Sequence, residues 1–437
     1  MSVGKLFLKY VPQNILGMVG ISLYILADTF FISKAVGADG ITALNLVLPV
    51  YSIIFSIGAM IGVGSAIRFA IAKSRKSNDT DSYFSNGLFW GTVIGLIFAL
   101  TGLFFPDKIL ALMGGDEKIV QVGTSYTRIF MSFSPFFIWN YICNAFVRND
   151  GAPSRAMTAT LSSSLFNIVA DYVLMFPLGL GMAGAALATA ISPVIGVGVC
   201  LTHILSKKSN VKINFIKPSF LRFIHSCQLG VSAFVAEISS GVMTAVFNMI
   251  ILGLTGNVGV AAYGVVANIS LVAVAMFNGV ANGSQPIASA FYGQGEKGRL
   301  KELLRLGFIT VVIMAVAMIA IVYIWSAPLA NIFNGENNKI LAGYAEEGLK
   351  LYFTGFIFAG INITGTSILS AMEEAKGAFI ASIMRGFIAI VILAFLLSAI
   401  LGMKGVWLAF PVAEGATVII TVVMLKMAFR NKAEKPV

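Results

Sequence analysis

The sequence predicts an all-α polytopic membrane protein, with twelve transmembrane helices in two six-helix lobes related by pseudo-two-fold symmetry. Three observations carry this reading. Only 11% of the 437 residues are charged while 58% are hydrophobic, too few charges to coat a soluble globule of this size. Nearly uncharged stretches of about 20 residues recur along the whole chain, the length a helix needs to cross roughly 30 Å of hydrocarbon. The second half of the chain also repeats the pattern of the first. The alternating ten-residue segments of a membrane β-barrel are absent.

Apolar runs between charged or Gly/Pro/Asn-rich breaks place the spans in order. The first, 11–33, ends before Lys34 and VGADG; the second, 42–72, at KSRKSND; the third, 84–105, at FPDK. The fourth, 122–147, runs into RNDGAPSR; the fifth, 155–177, into PLGLG; the sixth, 183–205, into SKKSNVK. The seventh, 225–252, stops at LTGNVG; the eighth, 262–291, at GQGEKGR; the ninth, 303–325, ahead of NGENNK. The tenth, 341–370, gives way to MEEAKG; the eleventh, 377–400, to GMKG; the twelfth, 405–428, to RNKAEK.

The breaks alternate in charge. One set holds 21 Lys and Arg, including Lys5, Lys73, Lys207, Lys301, Lys426, Arg430, Lys432 and Lys435, and the other holds 7. The positive-inside rule then puts both termini in the cytoplasm. The net charge of +11 follows from that asymmetry and the anionic inner leaflet, so no nucleic-acid partner is implied. The longest polar connection, 206–220, divides the chain into an N-lobe, 1–210, and a C-lobe, 211–437. A shift of 219 pairs Gly37 with Gly256, Gly64 with Gly283 and Ser65 with Ser284, and a shift of 221 pairs LGMAGAALA with LGMKGVWLA. Parallel duplication of this kind is a common architecture of alternating-access carriers.

Four acidic residues fall well inside spans: Asp28, Asp171, Glu237 and Glu414. A charge near the bilayer centre costs on the order of 3 kcal/mol on the mildest scale, so such a group marks a pathway or a partner. Asp171 shares a helix face with Asn167 at i,i+4 spacing. Thr189 in the sixth span adds a hydroxyl, and Asn140 and Asn144 form a second polar stripe on the fourth. Pro12, sixteen residues before Asp28, can bend the first helix. These hard oxygen donors suit Na⁺ or protonation and not soft metals. The repeat supplies a control: Asp28 maps on Phe247, Asn167 on Ile388, Asp171 on Ile392 and Thr189 on Phe410. The same scaffold packs with hydrophobes at these places, so packing alone does not demand the polar groups. Glu237 maps on Met18. The role of Glu414 stays open, with Arg385 a candidate ion-pair partner.

Other chemistry finds no support. Cys143, Cys200 and Cys227 lack CxxC spacing, no phosphate loop GxxxxGKS is present, and His203 and His225 make no metal spacing. GAMIGVGS, 58–65, lies within a span and reads as close helix packing. An enzyme is not expected, nor any cofactor beyond a coupling H⁺ or Na⁺.

LYILADTFFISKAVGADGITALNL, RNDGAPSRAM, GMAGAALATAIS and GSQPIASAFYGQG together resemble the multidrug and toxic compound extrusion (MATE) transporters over essentially the whole chain. The resemblance implies export of amphipathic, often cationic drugs in exchange for H⁺ or Na⁺, by a multi-pass monomer in a prokaryotic cell membrane. It implies a cation-coupling site at Asp28, Asn167, Asp171 and Thr189, as in the DinF-like branch, which could hold Na⁺. It also implies a substrate cavity including Asn140, Asn144 and a NorM-like Glu237. Alternatives are a flippase or exporter of another large amphiphile, such as a lipid-linked precursor, and, from another class, a passive channel or receptor.

Overall fold

The computed structural model describes residues 1–77, 79–214, 217–332 and 338–431. Lys432 and Lys435 of the charge pattern, and part of the 206–220 connection, lie outside the described residues. Every regular element among the described residues is helical. They are α1 (Val3–Ala35), α2 (Ala38–Ser74), α3 (Thr80–Phe104), α4 (Pro106–Leu112), α5 (Glu117–Ser132), α6 (Ser134–Asn149), α7 (Pro153–Met175) and α8 (Gly181–Ile204). There follow α9 (Phe220–Gly293), α10 (Lys297–Ile332), α11 (Lys339–Phe353), α12 (Phe356–Ala371), α13 (Ala375–Ile383), a π-helical turn (Met384–Ile388), α14 (Ala389–Leu401) and α15 (Met403–Asn431).

Among the described residues, eight helices are long and apolar enough to span a bilayer alone, and α11 with α12, bent by 48°, makes a ninth. The 74-residue α9 is two helices joined at Gly256, where φ 66° and ψ −159° are open to glycine. Counting α5 with α6 as one broken helix, and the more polar α7, gives the twelve spans of the sequence reading. The break at Phe133 follows from Pro135, which has no N–H to donate to Met131, and the Ser134 hydroxyl donates to that carbonyl instead (2.6 Å).

The duplication is visible in the backbone. Left-handed residues recur in register: Gly37 with Gly256, Lys76 with Gly295, and Gly181 with Gly402. The corner at Phe105, between α3 and α4, recurs at Trp325 inside α10. The break between α5 and α6 recurs between α11 and α12. Interruptions shared at offsets of 219 to 221 come from a common chain path, because the side chains around them differ.

Two compact units pack within themselves: Pro12–Glu237, and Met1–Val11 with Ile238–Val437. The cuts fall inside α1 and α9, and the 206–220 connection lies within the first unit. In that unit the glycine run of α2 sets helix spacing. A Cβ on Gly62 would lie 2.8 Å from the Tyr141 carbonyl oxygen of α6, and one on Gly64 would overlap the Ser226 carbonyl at the start of α9. Gly230 of α9 faces the Met60 carbonyl just as closely. Small residues let backbones approach where lipid supplies no hydrophobic drive. Gly20 does the same for α1 on α7: its Cβ would meet Leu161 at 2.6 Å.

Candidate functional site

The close approach of α1 to α7 carries Asp28 to Asp171. Both lie in the first unit, Asp171 and Asn167 fully buried and Asp28 and Thr189 nearly so. The two carboxyl groups interact with each other. The Asn167 amide donates to the Thr189 hydroxyl of α8 (3.4 Å), which turns its carbonyl oxygen the other way. That oxygen, both oxygens of Asp171 and Oδ1 of Asp28 are buried without a hydrogen-bond partner.

Four buried oxygens without a donor are unusual, since buried polar atoms are nearly always paired and each orphan costs about 1–3 kcal/mol. The set is all hard oxygen and fits a proton shared between carboxylates or a small cation such as Na⁺. The four residues named from sequence as the cation set are therefore neighbours in space.

The sequence reading missed the tyrosines beside them. Tyr51 of α2 and Tyr126 of α5 are hydrogen-bonded through their hydroxyls, and Tyr126 lies against Thr189. Tyr51 is stacked on Phe130 at 3.5 Å, which fixes its ring. Tyr51, Tyr126, Thr189 and Asn167 thus form a polar file toward the two carboxyls, with Tyr24 of α1 also within electrostatic reach. In sequence these tyrosines were indistinguishable from the aromatic filling of a span.

The proposed cavity residues are placed differently from one another. Asn144 donates to the Ala156 carbonyl (3.2 Å) and to Thr160 (2.9 Å), so its amide joins α6 to α7. The Asn140 side chain sits against Gly196 of α8, whose Cβ would lie 2.5 Å from its Oδ1. Glu237 is half-buried, within electrostatic reach of Tyr24 and Tyr141. α1 stays helical through Pro12.

Glu414 has a different setting. In the second unit it accepts from Arg385 Nε (2.6 Å) and from the Asn362 amide (2.7 Å), while Asn362 Oδ1 accepts from Thr421 (2.8 Å). The π-helical turn carries Arg385. This network is satisfied where the first-unit site is not, so Glu414 reads as an ion-pair partner that ties α12, the π turn and α15 together.

A second cluster, at the ends of α2, α6 and α8, was not singled out from sequence. The side chain of Asp150 is fully buried and holds Lys73 (2.6 Å), His203 (2.9 Å), Ser209 (3.1 Å) and both the backbone and side-chain nitrogens of Asn210 (2.9 Å each). Burial pushes its pKa up, but Lys73 and Asn210 outweigh that and hold it below the usual carboxylate value. The clasp fastens the start of the 206–220 connection to the helix ends.

Comparison with known proteins accords with these features. The MatE family profile matches twice, at 14–173 and 233–396, with starts 219 positions apart. The multidrug export protein MepA of Staphylococcus saprophyticus is 26% identical over 416 residues, covering 94% of this chain and 91% of that protein. MepA of Staphylococcus aureus (strain MSSA476) is 28% identical with the same coverage. An outward-facing conformation of a multidrug resistance MATE family transporter of the MOP superfamily superposes with a TM-score of 0.94 at 20% identity, over 100% of this chain and 98% of that one. A fold duplicated in register, twelve spans and two family matches at the repeat offset converge: the chain belongs to the MatE family, the multidrug and toxic compound extrusion transporters.

Proposed function

We propose that this protein is a secondary active multidrug efflux antiporter that exports amphipathic, often cationic organic compounds in exchange for H⁺ or Na⁺. The full-length similarity to multidrug export proteins supports the substrate class. The observation that carries the coupling is the set of four unpartnered buried oxygens on Asp28, Asn167 and Asp171. Asp28 and Asp171 receive the cation, Asn167 contributes its carbonyl oxygen, and Thr189 holds the Asn167 amide. The charge asymmetry of the connections supports cytoplasmic termini.

The coupling follows from electrostatics. Two ionised carboxylates attract a cationic drug and oppose movement of the site through apolar surroundings. A bound H⁺ or Na⁺ removes charge, weakens the hold on the drug and lowers the cost of the transition. A ligand shifts a conformational equilibrium only through its different affinity for the two states, and one negative charge more or less supplies that difference. Glu237, Asn140 and Pro12 serve drug contact and α1 bending in this scheme. Neither a reacting nucleophile nor a cofactor enters it.

The test is efflux of a fluorescent cationic dye from loaded vesicles containing the purified protein. A pH gradient and a Na⁺ gradient are imposed separately. One of the two should drive dye movement, and Asp171→Asn should abolish that driving. Dye movement insensitive to both gradients overturns antiport.

A further inference from the structure

A groove of about 490 Å³ in the second unit lies between the start of α10 and the end of α15. Lys301, Lys426 and Arg430 stand at its mouth over an apolar bed that includes Phe308, Leu425 and Phe429. We propose that this groove binds an anionic phospholipid, its phosphate held by Lys301, Lys426 and Arg430 and its acyl chains lying along α10 and α15.

Charge comes first. All three cations are exposed, and none has an ion pair among the described residues. Lys426 and Arg430 are one helical turn apart, so they share a face of α15. Lys301 of α10 leans over the Phe429 ring of α15, 5.8 Å from its centroid, so its ammonium reaches the α15 side of the groove. Three unpaired cations around a concave surface match a phosphate, and basic pockets between membrane helices bind anionic headgroups.

Shape comes second. Both helices also carry exposed apolar side chains further along, Ile309 and Ile313 on α10 and Ile419 and Val423 on α15. An anion alone would use the mouth and leave the bed bare; a two-chained amphiphile uses both. The groove exists because the two helices converge deeper down on Gly365 of α12, whose Cβ would lie 3.4 Å from Leu425 and 3.8 Å from Phe308.

The repeat supplies an independent control. Lys301 maps on Ser82, Lys426 on Leu205 and Arg430 on Ser209, so the equivalent place in the first unit lacks all three cations. There the protein's own chain takes the position: Asn214 N–H donates to Ser85 (3.0 Å) and Ser219 N–H to Asn86 (2.8 Å), both on α3. One copy of the duplicated scaffold is covered by polypeptide, and the other carries cations.

The experiment uses the full chain in neutral detergent, titrated with phosphatidylglycerol, phosphatidylcholine or glycerol 3-phosphate, with retained lipid counted by native mass spectrometry. Phosphatidylglycerol should be retained and phosphatidylcholine not. Lys301→Gln and Arg430→Gln, both at exposed positions, should each weaken phosphatidylglycerol binding roughly fivefold, and K301Q/K426Q/R430Q together roughly a hundredfold. K5Q/K207Q/K208Q, which removes the same charge elsewhere, should leave it unchanged. Equal loss in both triple variants, equal retention of the two lipids, or displacement by glycerol 3-phosphate at matched concentration each overturns the proposal. The readout involves no transport, so it stands or falls apart from the antiport reading.

Discussion

Asp171→Asn separates a coupling carboxylate from a structural one, because the two roles predict opposite changes in stability. The substitution keeps the shape of the side chain and exchanges one acceptor oxygen for an NH₂ donor. That donor appears beside the Asp28 carboxyl, whose Oδ1 has no partner. A hydrogen bond to a charged acceptor contributes about 1.5–3 kcal/mol, so the folded variant should be as stable as the wild type or more stable by up to about 3 kcal/mol. The same exchange removes one charged ligand of the cation. Losing an interaction of about 1.5–3 kcal/mol lowers cation affinity roughly ten- to a hundredfold, and ion-driven efflux at limiting ion falls with it. Stability is read by denaturant or thermal unfolding in detergent, and coupling by dye efflux under an imposed gradient. A loss of more than about 2 kcal/mol with efflux intact would refute the reasoning, since Asp171 would then be holding the fold.

Three further outcomes follow from the packing. Asp150→Ala leaves Lys73 and His203 without their buried acceptor and should cost about 3–5 kcal/mol in unfolding experiments. Because the folded pKa of Asp150 lies below its ordinary value of 3.8, the clasp contributes fully above that value and is lost as pH falls below about 4; the wild type should show this acid-side loss in thermal melts and Asp150→Ala should not. Glu414→Leu strands Arg385 and Asn362 and should cost about 3–5 kcal/mol, while the double variant Arg385→Met/Glu414→Leu should recover most of it, as a double-mutant cycle would report. Gly64→Ala or Gly230→Ala drives a methyl into a facing carbonyl, with an expected loss of about 1–3 kcal/mol, whereas Gly198→Ala, which meets nothing within 4 Å, should be near neutral.

Much of the architecture was legible in the sequence because lipid imposes a simple rule. A spanning helix must satisfy its own backbone and present apolar side chains, and Leu, Ile, Val and Phe runs of the right length record that directly. The interruptions were harder. The break at Phe133 has a sequence mark in Pro135. Its counterpart near Gly355 has none, because glycine is there for Phe410, 2.7 Å from where a Cβ would stand, a neighbour 55 positions away. The joining turn at Gly256 shortens the gap between the seventh and eighth spans to one residue. The π-helical turn under Arg385 has no local signature either.

The candidate site divides along the same line. Asp28, Asn167 and Asp171 stood out because a polar group in a hydrophobic run is costly, and the sister lobe lacks each one; composition and duplication alone identified them. The sequence offered Arg385 as a candidate partner for Glu414, but it could not say whether that pair would form or which acid would be left without one. Glu414 and Asp171 look alike as letters, yet Arg385, Asn362 and Thr421 close around the first, while the second faces Asp28 with its oxygens unpaired. The tyrosine file and the Asp150 clasp were equally hidden, since Tyr51 is 75 positions from Tyr126 and Asp150 gathers groups from Lys73 to Asn210. The sequence by itself determined where the chain crosses the membrane, and that it does so twice over in the same pattern, because hydropathy and repetition are local properties. Only the tertiary structure decided which polar groups are satisfied, because a hydrogen bond depends on distances between residues that the chain keeps far apart.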